Sequence, residues 1–176
     1  MVLPKTVAFS LLAIVLLIAA TSDVRFHKIP NWLTYTAVIL AVVYHTAMKG
    51  LEGLLFSLGG VGVGIAVLIT FYLMGGMGAG DVKLMGAVGG LLGPKGVFMA
   101  FLFTAVIGAI WAFTLLTFHG YLKETTKRFK TTLETFILTR RFVYTSPPEG
   151  EKRPGLCYGV AIATGTFISV VWGFSV

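Results

Sequence analysis

The chain has 176 residues, of which 56% are hydrophobic and 12% are charged, and its formal net charge is +7. A soluble domain of this length cannot bury so much apolar surface, which excludes a soluble globular protein and favours one that faces lipid. In a membrane protein, Lys and Arg collect on the cytoplasmic side, so the charge reports orientation and does not require nucleic acid. The single cysteine excludes an internal disulfide and a cysteine-rich zinc site.

Six apolar segments follow one another along the chain, and each is predicted to be a transmembrane helix. They cover residues 6–22, 32–48, 51–76, 82–93, 97–121 and 156–176. The fourth is short against the roughly 20 residues that a spanning helix needs, so a re-entrant hairpin is the alternative. Burial among neighbouring helices or local thinning of the bilayer would accommodate a short helix. The N-terminus also resembles a signal peptide, but the rest of the chain is equally apolar, which favours a first transmembrane helix.

The basic residues decide the predicted topology. Eight of the 14 Lys and Arg residues lie in 123–153, and Arg25, Lys28 and Lys83 lie on the same face if all six segments cross. The sequence therefore predicts an all-α integral membrane protein with six transmembrane helices. It forms one domain over 1–176, with both termini extracytoplasmic and a basic cytoplasmic loop between helices 5 and 6. Within this loop, residues 122–137 fit either an amphipathic helix on the inner leaflet or a cytosolic extension of the fifth helix.

The only two aspartates are the candidate catalytic residues. Asp23 follows the first segment in SDVRFHKIPNWLT, and Asp81 precedes the fourth in GMGAGDVKLMG. Under the six-crossing topology, both reach the cytoplasmic edge of the membrane. Two carboxylates at one site can share a proton, so that the ionised one activates a water and the protonated one polarises a scissile carbonyl. This chemistry needs no metal or cofactor, and the three histidines show no metal-ligand spacing.

Both acids also have simpler explanations. Asp81 fits the N-cap of the fourth helix after a glycine turn. Asp23 fits an interfacial charge paired with Arg25, His27 or Lys28. A small transporter or scaffold is the non-enzymatic alternative, in which the acids act in proton coupling or helix capping. Proton-coupled carriers, however, place such acids nearer the membrane midplane.

Three stretches resemble the prepilin peptidase family, and together they cover nearly the whole chain. GAGD, residues 78–81, fits the GxGD motif, and the run GAGDVKLMGAVGGLLG resembles the family closely. SDVRFHKIPNWLT is similar to the family's first active-site segment, and RPGLCYGVAIATG, residues 153–165, to the start of its last helix. The resemblance implies a multi-pass aspartic endopeptidase of the inner or plasma membrane. Its partners are then the lipid bilayer and a type IV pilin-like precursor, whose leader it removes at the cytoplasmic face.

The resemblance also implies roles for individual residues. By match, Asp23 and Asp81 are the catalytic pair. Gly78 and Gly80 allow the backbone turn that presents Asp81. Lys83 orients the site or tunes an acid.

The loop after the first helix completes the implied site, because Pro30 and Asn31 close the loop that carries the first aspartate. Larger members of the family have a cysteine-bearing cytoplasmic segment and also N-methylate the mature pilin. This chain has no such segment, so it resembles the short members and methyl transfer is not predicted. Presenilin-type proteases pair GxGD with an acid in the preceding helix and with a Pro-Ala-Leu motif, neither of which occurs here.

Overall fold

The regular elements in the described part of the chain are all helices. The computed structural model describes residues 3–74, 76–118 and 157–173. The helices are α1 (Leu3–Phe26), α2 (Asn31–Lys49), α3 (Leu51–Leu73), α4 (Ala79–Phe118) and α5 (Tyr158–Val171). Stretches of α1, α3 and α4 are long and apolar enough to cross a membrane, and α5 is a shorter apolar helix. The protein is therefore all-α and suited to a bilayer, whereas the basic loop 123–153 lies outside the described residues.

Contacts divide the chain into two compact units. One comprises Met1–Gly108 with Cys157–Val176, and the other comprises Ala109–Leu156. Asp23 in α1 and Asp81 in α4 both belong to the first unit, which includes α4 only as far as Gly108. A single domain over 1–176 stays a prediction.

Two helix ends differ from the expected ones, and both differences involve an aspartate. The first helix continues past residue 22 to Phe26, so Asp23 lies in the last turn of α1 and not in a loop. The fourth helix begins at Ala79, so Asp81 is its third residue and not its N-cap. In α1, Asp23 continues the stripe of buried residues that contains Leu16 and Ala19, at the spacing of one helical face. Packing on that face extends the helix beyond the apolar run.

Helix α4 is broken at the predicted boundary between the fourth and fifth segments. Gly93 has φ 74° and ψ 178°, a conformation that favours glycine, and Pro94 follows it. Proline has no N–H, so the carbonyl of Gly90 loses its usual helical donor. The hydroxyl of Ser57 donates to that carbonyl at 2.9 Å. The next carbonyl, of Leu91, accepts a hydrogen bond from His45 Nε2 at 3.2 Å, which requires the tautomer with the proton on Nε2.

Close backbone contact joins α3 to the first arm of α4, residues 79–93. A Cβ at Gly60 would collide with the carbonyl of Gly89, and a Cβ at Gly89 with the carbonyl of Gly60. The two helices are antiparallel, because Gly64 meets Met85 further along. Small residues permit this approach, which supplies much of the association between helices in lipid. As a result, every residue of 81–93 except Lys83 is buried, and burial among neighbours accommodates the short arm.

Replacing Gly60 with alanine is expected to destabilise the protein, and replacing Gly62 is not. The new Cβ at position 60 meets the Gly89 backbone, and such overpacking costs about 1–3 kcal/mol. A Cβ at Gly62 meets nothing within 4 Å, and alanine is favoured over glycine in a helix by about 1 kcal/mol. Thermal unfolding in detergent micelles measures both. Equal unfolding temperatures for the two variants would contradict this account of the packing.

A second pair of variants tests the hydrogen bonds at the break. Ser57→Ala leaves the buried Gly90 carbonyl without its donor and is expected to cost about 1–3 kcal/mol. Ser169→Ala is the matched control, because the equally buried Ser169 hydroxyl has no hydrogen-bond partner among the described residues. Its removal is expected to be neutral or stabilising in the same unfolding measurement. If Ser169→Ala costs as much as Ser57→Ala, the loss reflects side-chain packing and not the carbonyl.

Candidate active site

Asp23 is held by the first turn of α5. Its Oδ2 accepts a hydrogen bond from the backbone N–H of Gly159 at 2.8 Å. A Cβ at Gly159 would lie 2.9 Å from the same oxygen, so a residue with a side chain does not fit there without displacing the acid. The side chain of Asp23 is 6% exposed. A carboxylate this deeply buried needs a donor, and a first-turn amide supplies one because such amides have no acceptor within their own helix.

Asp81 is held by its own helix. Its Oδ2 accepts from the N–H of Gly78 at 3.1 Å, and its N–H donates to the Gly78 carbonyl at 3.2 Å. This reciprocal pair resembles the half of a capping box in which the third helical residue reaches back to the N-cap. The expectation that Asp81 occupies the N-cap is therefore wrong, because Asp81 is the third residue of α4. Its carboxylate still satisfies a backbone amide at the helix start, while the side chain is 9% exposed.

The two carboxylates lie close enough for their charges to interact, although 57 residues separate them in sequence. Each uses Oδ2 to accept one backbone amide, so Oδ1 of each has the capacity to accept a hydrogen bond or to carry a proton. Two neighbouring carboxylates with free oxygens have the chemistry to share one proton and to activate a water beside a carbonyl. Tyr158, at the start of α5, also lies within range of the charge of Asp81.

The glycine turn before Asp81 packs against the loop between α1 and α2. A Cβ at Gly80 would lie 3.2 Å from the Cβ of Ile29, so glycine permits this contact. Pro30 forms the N-cap of α2, with φ −66° and ψ 133°. Because Asp23 belongs to α1, the loop follows the acid and does not carry it. The loop instead packs against the glycine turn around Asp81.

Lys83 reaches the start of α2 and, among the described residues, forms no bond to an acid. Its Nζ donates to Asn31 Oδ1 at 2.9 Å and lies 5.2 Å from the centroid of the Tyr35 ring. It thus links the start of α4 to the start of α2. An effect of Lys83 on the acids stays a prediction, as do the catalytic roles of the matched residues.

Residues at the start of α5 were not predicted to belong to the site. The sole cysteine, Cys157, is the N-cap residue of α5, and its Sγ lies 3.5 Å from His27 Nδ1 and 3.9 Å from the carbonyl oxygen of Asp23. Their only signal in the sequence is the Tyr-Gly pair in RPGLCYGVAIATG, the stretch similar to the start of the family's last helix. A contact between residues 136 positions apart leaves no local periodicity that would predict it. Within the described ranges, no three His, Cys, Asp or Glu side chains form a group that could hold a metal ion.

The thiol of Cys157 provides a measure of the charge on Asp23. Burial and, second, the charge of Asp23 raise the pKa of Cys157, which precedes α5. Asp23→Asn removes the second cause, so the pKa falls and more thiolate is present at a given pH. Alkylation by iodoacetamide in detergent is therefore expected to accelerate, because the thiolate is the reacting form of cysteine.

Glu52→Gln is the control, because Glu52 is an exposed acid in the first turn of α3 and its charge is not among the causes of the shift in Cys157. The alkylation rate of this variant is expected to equal that of the unmodified protein. Since the chain has one cysteine, the label reports a single position. An unchanged rate in Asp23→Asn would show that Asp23 carries no charge beside the thiol.

Comparison with known proteins relates more than half of this chain to one peptidase family. Residues 10–113, which include both aspartates, match the type IV leader peptidase family. The chain is 29% identical, over 176 residues, to the prepilin leader peptidase/N-methyltransferase of Bacillus subtilis (strain 168). That similarity covers 98% of this chain and 57% of the relative, so the chain spans little more than half the relative's length. No solved structure matches.

The match and the apolar helices together identify the kind of protein. The family and the helices long enough to cross a bilayer indicate a multi-pass protein of the plasma membrane. The match covers more than half of the chain and includes the glycine turn and both buried acids. The chain belongs to the type IV leader peptidase family.

Proposed function

We propose that this chain is a membrane-embedded aspartic endopeptidase that removes the leader peptide of a type IV pilin-like precursor, with Asp23 and Asp81 as the catalytic pair. One observation carries the proposal. The only two aspartates of the chain are both buried, each accepts a backbone amide, and their charges interact across two different helices. Structural acids at helix ends need no such pairing, whereas general acid–base hydrolysis does.

Because the two acids share one proton, one acts as a base and the other as a hydrogen-bond donor. The ionised carboxylate takes a proton from a water, which attacks the scissile carbonyl carbon. The protonated carboxylate donates a hydrogen bond to the carbonyl oxygen and stabilises the charge that develops there. The proton taken from water then passes to the leaving amine as the peptide bond breaks. The backbone amides of Gly78 and Gly159 hold the two side chains in place during these transfers.

The proposed location of the reaction is the cytoplasmic face of the membrane. We place six crossings in the chain, both termini outside, and the basic loop 123–153 inside, because this arrangement puts eleven of the 14 Lys and Arg residues on one side. Asp23 lies in the last turn of α1 and Asp81 in the first turn of α4. Both helix ends then reach the inner boundary, where a basic leader would join the apolar helix of a precursor.

The relative's second activity is not part of the proposal. N-methyltransferase appears in the name of the Bacillus subtilis protein, of which this chain covers 57%. The physical features above concern hydrolysis alone. The substrate class follows from the family, which is named for leader removal.

Replacing either aspartate with asparagine is expected to abolish leader removal. Asparagine keeps an oxygen that accepts the Gly78 or Gly159 amide, so the local structure is retained, but it cannot share a proton at the site. Cleavage is expected to fall by at least about 100-fold, the usual loss when a general acid or base is removed. Co-expression with a pilin-like precursor, followed by scoring of the shortened product, measures this.

The exposed acid Glu52, in the first turn of α3, provides the control. Glu52→Gln is expected to leave cleavage unchanged, and all three variants are expected to insert in the membrane to the same level. If Asp81→Asn retains full cleavage, Asp81 only caps α4 and the proposed dyad is wrong. If the unmodified protein moves protons across liposomes and cleaves no precursor, the transporter alternative is favoured.

A further inference from the structure

We infer that Gly159 is a positioning residue of the proposed peptidase, because its backbone amide sets the place of the Asp23 carboxylate. The inference rests on the proposed function and extends it to a helix outside residues 10–113, which carry the family match. It concerns a backbone group and not a side chain. Three observations lead to it.

The first observation is the poor fit of Asp23 to its own helix. Asp23 lies in the last turn of α1, where the backbone carbonyls give the helix end a partial negative charge. A carboxylate there is repelled by its own helix and is buried away from water. Its stability at this position therefore depends on donors from elsewhere.

The second observation is the match of the donor. The Gly159 N–H belongs to the first turn of α5, where amides have no intrahelical acceptor and carry partial positive charge. It lies 2.8 Å from Asp23 Oδ2, a short distance that is typical of charge-assisted hydrogen bonds. Donating to Asp23 costs α5 none of its own hydrogen bonds.

The third observation is that the side-chain space at position 159 is already occupied by Asp23. A Cβ there would lie 2.9 Å from Oδ2, 3.1 Å from the Asp23 Cβ and 3.2 Å from Cγ. All three nearest atoms belong to the same aspartate. By contrast, a Cβ at Gly165 on the same helix would meet Thr104 of α4 and no aspartate. Asp81 is fixed by a turn of its own helix, so the separation of the two acids is set by where α5 holds Asp23.

The cleanest test removes the amide and adds no atoms. Nonsense suppression with glycolic acid at position 159 converts the N–H to an ester oxygen in the full chain. We expect kcat for a pilin-like precursor to fall by about 10- to 100-fold, the consequence of losing a hydrogen bond to a charged group. KM is expected to stay unchanged, because the ester alters the position of a reacting acid and not the binding of the precursor.

The matched control is glycolic acid at position 53. The Gly53 amide lies in the first turn of α3, and no hydrogen bond from it to either aspartate is present among the described residues. We expect wild-type kcat for this ester. If both esters lower kcat equally, or if the position-159 ester keeps wild-type kcat, the Gly159 amide does not position Asp23 and the inference is overturned.

Two alanine variants extend the test to conventional mutagenesis. Gly159→Ala pushes Asp23 aside and is expected to lower the kcat of the folded fraction at least as much as the ester does. Gly165→Ala meets the Thr104 backbone and is expected to lower the unfolding temperature with little effect on the kcat of the folded fraction. Equal kcat losses in the two variants would overturn the inference.

The result is separable from a failure of the proposed function. If the unmodified protein cleaves no pilin-like precursor, the proposed function fails before any variant is compared. If it cleaves and the position-159 ester cleaves equally well, only the positioning role of Gly159 fails.

Discussion

The close backbone contact between α3 and the first arm of α4 is the constraint on which the rest of the structure depends. Gly60 and Gly89 let the two helices approach until each carbonyl occupies the place of the other's side chain. This contact buries a short arm that could not match the thickness of a bilayer alone. Asp81 lies in the first turn of that arm and is itself buried. A residue with a larger side chain at either glycine would move the arm and the acid together.

Because the first arm of α4 is buried, its backbone carbonyls need hydrogen-bond donors, and the break at Gly93 leaves some of them without helical donors. In lipid, an unpaired backbone carbonyl costs several kcal/mol, and a proline within a helix frees one. Ser57 and His45 come from two different helices to satisfy the carbonyls of Gly90 and Leu91. These two side chains therefore satisfy backbone carbonyls at the break.

The sequence predicted the all-helical class and the break at Gly93–Pro94, whereas it predicted the surroundings of the two aspartates poorly. Hydrophobic runs and the break at Gly93–Pro94 are local signals, so the segment boundaries there agree with the structure. The extension of α1 through Asp23 depends on packing against other helices, which composition does not reveal. The place of Asp81 as the third residue of α4 depends on its hydrogen bonds with Gly78. Because aspartate is a favoured N-cap residue, the sequence alone suggested the N-cap position instead.

The contact of Asp23 with Gly159 joins residues 136 positions apart, whereas that of Asp81 with Gly78 joins residues three apart. The two halves of the site therefore arise at different times during synthesis. The turn around Asp81 can close as soon as α4 emerges from the ribosome and enters the membrane. Asp23 gains its donor, the Gly159 N–H, only after α5, the last described helix, has been synthesised. A nascent chain therefore lacks the donor to Asp23 until α5 has been made.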